Sequence, residues 1–266
     1  MRLPTAPTIA LLLVVARSLS AQPIVGIIPH LAVGGPWQTV ITVVNTTTSS
    51  ASATLLFWAD NGQPLNLPVA GIGSTSGIQF TLGANGSGTV ETNASGPNTL
   101  SGWASVLSDS TGIDAIEVFR NHTSGRPDFE ASVSLVKFNQ FDFVLPFDHT
   151  AGFFSGVALA NSAGSTSSTK TGTADVFLTF RDESGNVILL TGLALPPGNH
   201  VAFLLANQYP AVAGLRGTVE VQLNNAATGA NGTLSALGLR FDPAGAFTSI
   251  QPMVIGVTEC VITPSQ

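Results

Sequence analysis

Four histidines, His30, His122, His149 and His200, are the residues of this 266-residue sequence best suited to acid–base or metal chemistry. None has a His or Cys at the spacing a tetrahedral metal site needs, and there is no HExxH, so no metal site is predicted. His149 follows Asp148, and a carboxylate can orient and charge an imidazole. Adjacent residues of an extended chain point to opposite faces, however, so this pair reads as a surface turn rather than a catalytic dyad. Ser167-Ser168-Thr169-Lys170 spells SxxK and Lys170-Thr171-Gly172 spells KTG. Penicillin-recognising enzymes carry these motifs on separate elements, whereas here one lysine serves both inside a low-complexity loop. Asp60 and Asp182-Glu183 offer carboxylates to calcium, but neither turn has the ligand count of a calcium loop. No catalytic residue, metal ligand or cofactor cradle is assigned, and no cofactor is expected.

Tryptophan is the other signal. Phe57 sets the buried phase of its strand, which places Trp58 on the opposite face, and Ala104 and Val106 do the same for Trp103. On a sheet face turned away from its own core, such rings stack on sugars, pack on a partner, or are covered by the rest of the chain. Trp58 and Trp103 are therefore the candidate ligand contacts. Five sequons, at Asn45, Asn85, Asn93, Asn121 and Asn231, are cheap matches in a chain rich in Asn, Ser and Thr.

The elements that would carry these residues are strands. Charged residues make up only 9% of the chain while Gly numbers 28, a balance that suits strands and turns better than solvent-facing helices. Arg2, the apolar run Ile9 to Ala16, and the small residues Ser18, Ser20 and Ala21 read as a secretory signal over 1–21, too short to span a bilayer. Removing Arg2 and Arg17 takes the formal net charge from −6 to −6 − 2 = −8. That surface repels phosphate backbones, so no nucleic-acid partner and no polybasic membrane contact are expected. The single cysteine, Cys260, can close no internal disulfide.

The chain restarts partway along. Ile27 to Asn45 is echoed by Phe143 to Asn161: Pro29 answers to Pro146, Gly35 to Gly152, Trp37 to Phe154, and Asn45 to Asn161. Alternating apolar residues follow in both copies: Ile41 and Val43, Ala53 to Phe57, Ala104 and Val106, Ile116 and Val118 in the first, with matching runs in the second. Period two means one buried and one outer face per strand. Asp60-Asn61-Gly62, Glu183-Ser184-Gly185 and Pro196-Pro197-Gly198 supply turns. The expected fold is all-β, with two tandem antiparallel β-sandwich domains, Ig-like or jelly-roll-like, of about seven strands each, arising from an internal duplication. Their expected bounds are 22–137 and 141–257, with a short linker at 138–140 and a tail at 258–266.

Four segments carry a resemblance: Gly34 to Thr39, Phe57 to Leu65, Val144 to Asp148, and Ala236 to Phe241. Together they resemble a family of exported two-repeat β proteins of soil bacteria with no known activity. The resemblance implies export and a repeated β architecture, and transfers no site residue.

Two function classes follow. The first is an exported non-catalytic structural or adhesive and binding protein, secreted, periplasmic or at the cell surface, whose partner is an extracellular glycan or protein. The alternative is a carbohydrate-binding or glycan-hydrolysing protein that uses loops and Trp58 or Trp103. No transmembrane span is expected after signal removal.

Overall fold

The computed structural model describes residues 22–94, 96–137, 142–165, 172–224 and 232–255. The predicted signal, the linker, the tail, Cys260 and most of the SxxK/KTG loop lie outside the described residues. The first half contains β1 (Ile24–Val33), β2 (Trp37–Asn45), β3 (Ala51–Ala59), β4 (Leu67–Val69), β5 (Gly73–Thr75), β6 (Gly77–Leu82), β7 (Ser87–Glu91), β8 (Leu100–Leu107), β9 (Ile113–Asn121) and β10 (Phe129–Ser134). The second contains β11 (Asp142–Asp148), β12 (Phe154–Ala160), β13 (Ala174–Asp182), β14 (Val187–Leu195), β15 (His200–Leu204), a short helix α1 (Leu205–Gln208), β16 (Arg216–Leu223), β17 (Ser235–Phe241), β18 (Phe247–Ile250) and β19 (Met253–Val254). Among the described residues no helix is long and apolar enough to cross a membrane.

The fold is all-β, and each half packs two sheets face to face. In the first half the sheets run β1-β8-β3-β6 and β10-β9-β2-β7, with β4 and β5 forming a separate small hairpin. In the second they run β11-β16-β13-β14, extended by β19 beside β11, and β18-β17-β12-β15. With the β4–β5 hairpin left out of the count, the strands of the two halves follow the same order in their sheets. Each half thus builds its sandwich from eight strands rather than the expected seven, with β19 added to the second. The order differs from the ABED/CFG arrangement of an immunoglobulin domain.

Period-two alternation fills each interior. Ile41, Val43, Leu55, Phe57, Ala104 and Val106 meet in one core, and Val157, Leu159, Val176, Leu178, Phe180, Val219 and Val221 in the other. The expected phase of β9 is corrected. Ile116 is exposed, whereas Ile113, Ala115, Glu117 and Phe119 are buried. The cause is register: Glu117 lies directly opposite buried Ile41, and cross-strand partners share a face. Glu117 is consequently a fully buried carboxyl, its pKa driven well above the ordinary range by desolvation.

The halves also share two polar or backbone devices. Asn45 and Asn161 are both fully buried. Asn45 Nδ2 donates to the carbonyls of Ser49 (2.7 Å) and Gly83 (2.9 Å), while its Oδ1 accepts from Thr47 N–H (3.0 Å). Asn161 Nδ2 donates to Leu195 (2.9 Å) and Gly172 (3.0 Å), while its Oδ1 accepts from Thr233 N–H (3.0 Å). Each amide pins loops that would otherwise leave buried backbone groups unpaired. The sequon at Asn45 is therefore committed to the fold. The second device is a glycine. Gly102 pairs with Ala59 and Gly217 with Asp182, and a Cβ on either would collide with the carbonyl oxygen of Trp58 or Arg181 respectively.

Those glycines let β8 and β16 approach their neighbours at the point where each outer face begins. Gly102→Ala and Gly217→Ala should each cost on the order of 1–3 kcal/mol of stability in urea unfolding. A change near zero at either site would mean that the close approach is not required.

Candidate binding site at the seam between the two halves

Trp58 and Trp103 are a directly opposed cross-strand pair on β3 and β8, stacked with ring centroids 5.7 Å apart. They lie off the first core, on the face opposite Phe57 and Ala104. Their face is not wet, however. Trp103 is 0% and Trp58 9% exposed, clustered with Ile27 and with Ala160 of the second half. The Trp103 indole N–H donates to the carbonyl of Gly198 at 2.8 Å, and that of Trp58 to Ser105 Oγ at 3.0 Å. Trp103 is bonded across the seam, and at 0% and 9% exposure neither ring lies open on the surface.

Two predicted turns meet at the same seam. Gly62 and Gly198 both have positive φ, and a Cβ on Gly62 would lie 3.0 Å from the Gly198 carbonyl carbon. Past Gly198, the backbone N–H of His200 donates to the Asp60 carbonyl at 3.0 Å. The imidazole follows it inward: His200 Nδ1 lies 2.8 Å from Asp60 Oδ1, with the His200 side chain fully enclosed and Asp60 56% exposed. Ser101 donates its hydroxyl to the other oxygen, Oδ2, at 2.8 Å.

His30 continues the chain of hydrogen bonds. It stands in β1 after Pro29, where the register with β8 slips by one residue between Ile28 and Leu31. A proline cannot donate to the ladder, and the resulting bulge re-aims the next side chain. His30 Nδ1 lies 3.1 Å from His200 Nε2, and the two rings stack at 5.1 Å. Burial, with the neighbouring His200 adding to it, pushes the His30 pKa down to about 3. For Asp60, burial acts to raise the pKa, and the hydrogen bonds from His200 and Ser101 overturn it, leaving the carboxyl below its ordinary value.

The far end of this chain borders a cavity of about 240 Å³. His30, Trp37, Ser101 and Phe119 line it from the first half, and Ala202, Phe203 and Phe241 from the second. Its polar side chains include His30, Thr99 and Ser101, set in an otherwise mostly apolar, half-open lining. The surrounding seam is itself a core, in which Ala32, Phe119 and Val133 pack on Ala158, Leu237 and Phe247.

Several other titratable groups are held by structural partners. Asp148 is held by Arg240 at 2.8 Å and Arg216 at 3.4 Å; burial would raise its pKa, but Arg240 and Thr150 hold it far below the carboxylate range. The segments Val144 to Asp148 and Ala236 to Phe241 thus meet in one ion pair. His149 turns away from Asp148, its Nδ1 bonding the Val212 carbonyl at 2.9 Å, so the two do not form a dyad. Asp182 is occupied by its own turn through Ser184 and Asn186. Among the described residues no group of three or more His, Cys, Asp or Glu could hold a metal ion.

Sequence reasoning missed the Asp60–His200–His30 chain because its members lie 140 and 170 residues apart. The legible hints were Pro29 before a histidine within a strand, and a histidine two residues after a Pro-Pro-Gly turn. Comparison with known proteins adds no assignment: no family model matches the chain, and no curated protein matches it.

The depressed pKa of His30 carries a sign. Between about 6.5 and about 3 the unfolded chain binds a proton that the folded chain refuses. Stability should fall as pH drops through this window, by up to about 1.4 kcal/mol per pH unit from this group. Asp60, with its pKa depressed, contributes stability that is lost only at lower pH, as its folded value is crossed. His30→Phe should lose less in melting temperature between pH 7 and pH 5 than the parent does; an equal loss would place the titration elsewhere.

Proposed function

We propose that the chain is an exported, non-catalytic binding protein, built on one β-sandwich plan used twice, that takes an apolar group into the cavity between its halves. It works in the periplasm, at the cell surface or outside the cell. The observation that carries this reading is the seam cavity: both halves contribute walls, and a polar chain borders it. Sites between packed units, mostly apolar with a few placed polar groups, are where small ligands usually bind. The low charge content, the acidic balance and the signal-like first 21 residues support export and argue against nucleic acid.

The glycan reading is weaker on this geometry. Sugars need exposed aromatic faces and many hydrogen-bonding groups, whereas Trp58 and Trp103 are buried and the cavity offers three polar side chains. A hydrolytic reading draws on the Asp60–His200–His30 chain, which resembles an oriented general base. An activated serine, though, donates its hydroxyl to the imidazole. Ser101 donates instead to the carboxylate of Asp60, so the nucleophile–base contact is missing.

A fragment library screened on the full chain by ligand-observed NMR should return apolar, mainly aromatic hits. Ala202→Trp, at the exposed rim of the cavity, should abolish them. Hits indifferent to that substitution, or a polysaccharide turnover abolished by a single Asp, Glu or His substitution, would overturn the reading.

A further inference from the structure

We propose that the seam cavity selects a small aromatic molecule bearing one hydroxyl, a phenol, whose O–H donates to Nε2 of His30 while its ring sits among Trp37, Phe119 and Phe241. This rests on the reading of the cavity as a binding site and adds the chemistry of its occupant.

The hydrogen positions follow from the chain itself. In the proposed arrangement His200 Nδ1–H donates to the carboxylate of Asp60, which leaves His200 Nε2 as an acceptor. The 3.1 Å contact then requires His30 to carry its proton on Nδ1. His30 Nε2 is left as a bare acceptor with no hydrogen-bond partner among the described residues, in a residue that lines the cavity. The burial that keeps this imidazole neutral preserves the lone pair. Other charged groups do not compete for the ring: it faces His200, Phe119 and, more distantly, Asp60.

The remaining features set the shape. Three aromatic rings, those of Trp37, Phe119 and Phe241, favour an aromatic guest through edge and face contacts, while Phe203 turns its ring to the second core beside Tyr209. A dry engineered cavity of about 150 Å³ suffices for benzene, so about 240 Å³ admits a substituted benzene. A guest without a donor would leave Nε2 unpaired, and a guest with several polar groups would bury some of them against apolar walls.

The experiment compares p-cresol with toluene, which differ only in the hydroxyl, by titration calorimetry on the full chain at pH 8. The parent should bind both, and its preference for p-cresol should fall about tenfold or more in His30→Phe, the range expected for a buried donor losing its acceptor. Toluene, which makes no hydrogen bond to His30, is the reference against which that preference is read in both proteins. If the variant fails to fold, the parent's imidazole nitrogens decide: the His30 Nε2 resonance should move upfield with p-cresol and hold with toluene. A preference unchanged within twofold in the variant, or a His30 nitrogen that responds alike to both molecules, would overturn the phenol assignment while leaving the cavity a binding site. Failure of both molecules to bind the parent would overturn the phenol assignment. The binding-site reading falls with it only if the fragment screen also yields no hit that Ala202→Trp removes.

Discussion

The Trp103 indole N–H bonded to the Gly198 carbonyl, across 95 residues of sequence, is the contact around which the molecule is arranged. Without the second half, β3 and β8 would present two stacked indoles on an outer sheet face, and a buried aromatic side chain is worth several kcal/mol once covered. Covering them requires the turn at Gly198 to settle against the turn at Gly62, which places His200 over Asp60 and within reach of His30. The cavity is what remains where the two outer surfaces do not fully interlock.

The second half carries no such aromatic pair on the equivalent face. The positions matching Trp58 and Trp103 in the second half are Arg181 and Thr218, again directly opposed, with Arg181 3.7 Å from Glu220. That face is suited to water. The two halves therefore share strand order, the buried asparagines and the close-approach glycines, and differ in the faces they turn outward. What they have in common serves folding, while His30, His200, Trp58 and Trp103 serve the pairing of the two halves.

Much of the fold was legible because a period of two and a repeated turn pattern are local signals: Ile41 and Val43, or Val176, Leu178 and Phe180, declare a buried face without knowledge of any partner. The phase of β9 was not, because the run Ile113 to Phe119 alternates apolar residues in both phases, and only the pairing of Glu117 with Ile41 chooses between them. The Trp pair shows the same boundary. Its face was readable from Phe57 and Ala104, but what covers that face comes from Ala160 and Gly198. The candidate site was the least legible part, since Asp60, His200 and His30 come together only through a bulge and two turns on opposite sides of the seam.

If the seam holds the halves as one cooperative body, they must unfold together. The chain provides its own reporters: Trp37, Trp58 and Trp103 all lie in the first half and the one tyrosine, Tyr209, in the second. The most direct measurement is equilibrium urea unfolding followed by tryptophan fluorescence and, in parallel, by Tyr209 emission. The account predicts one transition with coincident midpoints from both probes. Two separated transitions, with Tyr209 released while the tryptophans stay native or the reverse, would contradict it.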